Sequence, residues 1–127
     1  MPMTNYLANA MANATLRNTS YTSPATVYAA LYSTAPTVST SGTELTGNGY
    51  ARVSTTFSAP SAGSTSSSAA VTFGPATGNN WPLVNAFAIC DASTGGNILY
   101  FKTIAAQNVT VGNSLTFDTG DITIVIA

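Results

Sequence analysis

The sequence predicts an all-β, single-domain protein, a β-sandwich or jelly-roll-like barrel of about eight short strands with a short N-terminal helix. Three observations predict it. Short runs along most of the chain alternate apolar and polar residues. Clusters of Gly, Asn, Asp and Ser interrupt those runs at roughly ten-residue intervals. A length of 127 residues suffices for one core and is short for two domains. Residues 1–127 are therefore read as one β domain, with a helix over 4–19, a long loop or arm over 33–48 and the main strands over 49–127.

In "TNYLANAMANATLRNT", residues 4–19, Leu7, Met11 and Ala14 recur at helical spacing, and Thr4 or Asn5 is placed to cap the start. Isolated helices of this length are marginal, so the narrow apolar stripe needs a partner. The β core is the expected one and a neighbouring subunit the alternative, which makes Tyr6, Leu7 and Met11 candidate interface residues.

"TVYAALY", residues 26–32, reads as a strand covered on both faces, with Val27, Ala29 and Leu31 on one and Tyr28, Ala30 and Tyr32 on the other. "STAPTVSTSGTELTGN", residues 33–48, reads as a long connection in which Glu44 is solvated. Loops of that length without structure of their own are often functional, so it is a candidate contact arm. In "YARVSTTF", residues 50–57, alternation places Ala51, Val53, Thr55 and Phe57 inward and Tyr50, Arg52, Ser54 and Thr56 outward. Tyr50 and Arg52 are thereby expected to pin the preceding loop or to meet a partner.

"SAPSAGSTSSS", residues 58–68, reads as a wide, flexible hairpin connection before the strand "AAVTF". "LVNAFAIC" and "NILYFKTI" flank "DASTGG", a hairpin loop whose glycines supply positive φ and whose Asp91 closes the turn. "NVTVGNSLTF" turns at Gly112, and the final strand is expected to place Ile122, Ile124 and Ile126 on one face.

Composition narrows function. The net charge is -1 and only 6% of residues are charged, against about 25% in ordinary soluble domains. Polarity comes instead from 21 Thr, 14 Ser and 11 Asn. Without clustered Lys and Arg there is no footprint for nucleic acid, and a surface with so little charge favours association. No apolar run approaches the roughly 18 residues of a membrane helix, and the N-terminus lacks the basic and apolar regions of a signal peptide. The expectation is a soluble chain made in the cytosol that binds neither nucleic acid nor membrane.

The chain has no histidine, which removes Ser-His, Cys-His and His-metal chemistry. "GNGYAR" opens into a strand, the wrong context for a phosphate loop. Asp118 and Asp121, the one close carboxylate pair, bracket "TG" and read as a turn rather than as an acid-base or Ca²⁺ pair. Cys90, the single cysteine, reads as a buried small hydrophobe, and Trp81 as a cap on the core rather than an exposed stacking platform. No catalytic residue, cofactor or metal site is expected, and the chain is not expected to be an enzyme.

"YLANAMANATLRNTSYTSPATVYAALYSTAPT", "GTELTGNGYARV", "AVTF", "FAICDASTGGNILYF" and "VGNSLTFDTGDITI", in that order, resemble a family of small tailed-phage structural proteins. These are often labelled tail-fibre-like and are similar to capsid cement, or decoration, proteins. The resemblance spans nearly the whole chain and brings no catalytic or ligand-binding residues. It implies a virion role, first as a decoration protein on the outer capsid surface, a homotrimer clamping the major capsid protein. The alternative is a tail-fibre or tail-tip module that recognises a host surface glycan or receptor. On the decoration reading Tyr6, Leu7, Met11, Glu44, Tyr50 and Arg52 are the partner-interface candidates. The glycan reading instead requires an exposed aromatic cluster near Trp81 or Tyr100 and makes Trp81 and Arg52 the receptor-contact candidates.

Overall fold

A computed structural model describes residues 1–126. Helix α1 runs from Asn5 to Leu16. Thr4 caps it, its hydroxyl accepting the Leu7 N–H at 3.4 Å while donating to the Ile98 carbonyl at 2.6 Å. The helix stops three residues before the expected end. Asn18 takes a left-handed φ of 52°, and the Asn13 carbonyl receives the N–H of both Arg17 and Thr19, which closes the last turn.

Strand β1 (Val27–Thr34) is central to the main sheet. On one side it pairs with β6 (Val84–Cys90), Leu31 facing Phe87. Its other side is shared by β2 (Thr43–Glu44), where Tyr32 faces Glu44, and β3 (Val53–Thr55), where Val27 faces Thr55. β7 (Ile98–Gln107) lies outside β6, and every pairing in the sheet is antiparallel. Asp91 closes the β6–β7 hairpin as expected: its carboxylate accepts the Asn97 N–H at 2.7 Å and the Asn97 side-chain amide at 3.1 Å.

Two ribbons form the second layer. One pairs β4 (Ser64–Ser66) with β9 (Thr123–Val125), the other β5 (Val71–Phe73) with β8 (Leu115–Phe117). The core lies between the layers: Ala29, Leu31, Phe87 and Ile89 from the sheet meet Val71, Phe73, Ile122 and Ile124, with Trp81 among them. The opposite face of the sheet buries Ala30, Tyr32, Ala86, Ala88 and Cys90. Burial on both faces explains why "TVYAALY" carries no polar alternation. The protein is thus an all-β single domain with one short helix, in nine strands among the described residues rather than about eight.

Three expectations change. Residues 33–48 are not a structureless arm: β1 continues to Thr34, β2 folds back on it, and Leu45 and Pro36 are buried. The stretch 58–68 is the hairpin expected, but a tight one rather than wide and flexible, because Ser58 N–H donates to Ser66 O at 3.0 Å, Ser61 and Ser64 exchange backbone bonds, and Ser67 is buried. Ile122 and Ile124 are buried, but Ile126 lies beyond the end of β9 and is exposed, so apolar alternation there runs past the structure it describes.

Candidate functional site

The most organised polar cluster joins three of the sequence candidates. β2 and β3 leave a gap between them along the edge of β1, at Leu31. Buried backbone groups there need partners. The Leu31 carbonyl accepts the Leu45 N–H at 3.0 Å, and the Leu31 N–H donates to the Tyr50 hydroxyl at 3.0 Å. Tyr50 in turn donates to Glu44 Oε2 at 2.6 Å. Arg52 forks onto the same carboxylate, Nε to Oε2 and Nη2 to Oε1, each at 2.8 Å. Its Nη1 donates to the carbonyls of Ala92 and Gly95 in the β6–β7 hairpin, both at 2.8 Å. One side-chain chain therefore stitches β1, β2, the segment before β3 and the hairpin loop.

Electrostatics follow the geometry. Burial alone raises the Glu44 pKa, but hydrogen bonds from Arg52 and Tyr50 outweigh it and hold the carboxyl below its usual range. Burial and the bond to Glu44 push the Tyr50 hydroxyl up, so it keeps its proton. The Arg52 pKa is raised, chiefly by its bond to Glu44. The side chain of Arg52 is only 9% exposed and that of Glu44 24%. Bidentate pairing of this kind fixes geometry as well as charge.

Two sequence readings are corrected here. Tyr50 does not face outward, because residues 50–52 precede the strand and its alternation does not reach them. Its ring stacks on Phe73 at 6.3 Å between centroids and meets Trp81 edge-on at 5.8 Å. Glu44 is not solvated, being drawn in by its two donors. Arg52 does turn away from the core, toward the hairpin loop, as expected. The missed signal was local: Glu44 and Arg52 flank "GNG", and in a chain with so few charges opposite signs on either side of a turn are natural partners.

The other candidates sit apart from this cluster. Leu7 is buried against the chain's own body and Met11 is half-buried. Tyr6, on α1, is 44% exposed and borders an open depression with the 37–41 loop. Trp81 is buried, with its indole N–H donating to the Asn48 carbonyl at 2.7 Å, so it caps the core and offers no stacking platform. Cys90 is buried 3.7 Å from the Tyr32 hydroxyl, and burial pushes its thiol pKa up. Asp118 and Asp121 close their own turn, each bonded to the other's residue at 3.0 Å. Among the described residues no group of three or more His, Cys, Asp and Glu gathers where a metal ion would sit.

Compared with known families, residues 2–125 match the model described as Podophage GP4 fiber I protein gp80. No curated protein matches the chain.

Proposed function

We propose a fibre role for this chain, which belongs to the podophage fiber I protein family. As a member it is a structural component of a bacteriophage virion. Within the virion we place it in a fibre that faces the host surface, and we assign it no enzymatic activity. The observation that carries the fibre reading is the family match over nearly the whole chain. The organised polar groups support a non-enzymatic role. Glu44 is held as an acceptor by two donors, Tyr50 keeps its proton and Arg52 is bonded through three nitrogens. A general acid or base needs a pKa near the operating pH and access to substrate.

The second reading is capsid decoration, with the chain as a homotrimer on the major capsid protein of the outer shell. It is supported by the low charge and the Thr, Ser and Asn content, which suit wet, hydrogen-bonded contacts between many copies. Quantitative mass spectrometry of purified virions separates the two. The fibre reading expects far fewer copies of this chain than of the major capsid protein, and near-parity would overturn it.

A further inference from the structure

The start of α1, the Thr37–Ser41 loop and the Gly96–Ile98 end of the β6–β7 hairpin border an open depression of about 430 Å³. That volume lies within the range of small-ligand sites. No charged side chain lines it; its walls carry hydroxyls and amides together with Tyr6 and Val38, each 44% exposed. Two of the chain's few exposed large apolar side chains thus stand over one hollow.

The walls are fixed before any ligand arrives. Thr37 N–H donates to the Thr40 carbonyl and Thr40 N–H to the Thr37 hydroxyl, each at 3.0 Å, and the two hydroxyls lie 2.6 Å apart. Asn5 N–H donates to the Val38 carbonyl at 2.9 Å, which ties the loop to the helix. Those bonds use the backbone and the Thr37 and Thr40 side chains, and the Asn97 amide is held by Asp91. The side chains of Asn5, Ser39 and Ser41, which also line the hollow, have no hydrogen-bond partner among the described residues.

We propose that this depression binds a neutral saccharide. A pyranose presents an apolar C–H face and several hydroxyls that both donate and accept. Tyr6 and Val38 match the face, and amide and hydroxyl side chains match the hydroxyls, since each also donates and accepts. A phosphate or carboxylate calls for Arg or Lys, and the lining has neither. A wholly apolar ligand would leave the amide and hydroxyls unpaired. The preformed walls lower the ordering cost of binding. For its place in infection the proposal rests on the fibre reading, whereas binding itself is a property of the isolated chain.

The test is an NMR titration of the isotope-labelled chain with neutral hexose, 6-deoxyhexose and N-acetylhexosamine oligosaccharides. At least one class is expected to give saturable shifts confined to residues 4–7, 37–41 and 96–98, with affinity in the millimolar range. Tyr6→Ala should weaken binding at least about ten-fold while the remaining spectrum stays folded. Ser41→Gln, which fills the hollow without charge, should also weaken it. Absence of shifts with every class, shifts elsewhere, or an affinity unchanged in both variants overturns the proposal. So do concentration-dependent shifts at these residues without sugar, which would make the hollow a contact between copies. A virion copy number near parity would overturn the fibre reading and leave this titration result standing.

Discussion

Replacing Tyr50 with Phe removes one oxygen and keeps the ring that stacks on Phe73 and meets Trp81. That oxygen accepts the N–H of Leu31, a fully buried residue, and donates to the Glu44 carboxylate. An orphaned buried N–H costs about 1–3 kcal/mol, and a hydrogen bond to a charged group contributes about 1.5–3 kcal/mol. Glu44 keeps Arg52 and some solvent, so the second figure is only partly lost. The expected destabilisation is about 2–4 kcal/mol. Urea unfolding followed by the fluorescence of Trp81 measures it at neutral pH. At roughly 3–6 °C per kcal/mol for a domain of this size, the melting temperature should drop by about 6–24 °C. A loss below about 0.5 kcal/mol, the scale of ordinary surface substitutions, would refute the argument that Tyr50 fills a gap in the sheet edge.

Three further outcomes follow from the same structure. The Glu44 carboxyl is held below the ordinary glutamate value of 4.5, so its contribution is fully present above that pH and lost as the pH falls through the folded value. Glu44→Gln should therefore be less stable than the parent at pH 7, with a gap that narrows below about pH 4.5 in paired denaturation curves. Trp81 should emit at short wavelength and resist acrylamide quenching until the protein unfolds, and Trp81→Ala should cost about 3–5 kcal/mol in the same assay. Gly42 has φ of 60°, and a Cβ there would collide with the Thr34 carbonyl, so Gly42→Ala should cost more than about 1 kcal/mol and loosen amide exchange in β2.

Where the sequence was legible, burial imposes a period. Ala29 and Leu31 against Ala30 and Tyr32, the Asp91–Asn97 hairpin, the capping Trp81 and the buried Cys90 all follow from alternation, turn chemistry or side-chain area. β2 and β4 are two and three residues long, too short for any period to show, and they lie in Ser and Thr-rich stretches that resemble loops. Tyr50 was misplaced because strand alternation was extended three residues before β3 begins. That Tyr50 and Arg52 pin the loop before them was legible, and the opposite charges flanking "GNG" point to Glu44 as the partner. The bond from Tyr50 to the Leu31 backbone and those from Arg52 to the hairpin loop are tertiary closures that local spacing does not carry. The depression beside Tyr6 joins segments about thirty and ninety residues apart, and only the folded chain brings them together.

The most direct test of the fibre assignment is to locate the chain on the virion. A small tag between the exposed Ser93 and Thr94, labelled with gold and imaged on intact particles, reads its position without relying on copy number. The account predicts label on projecting fibres. Label spread evenly over the capsid faces would contradict it and return the chain to the decoration reading.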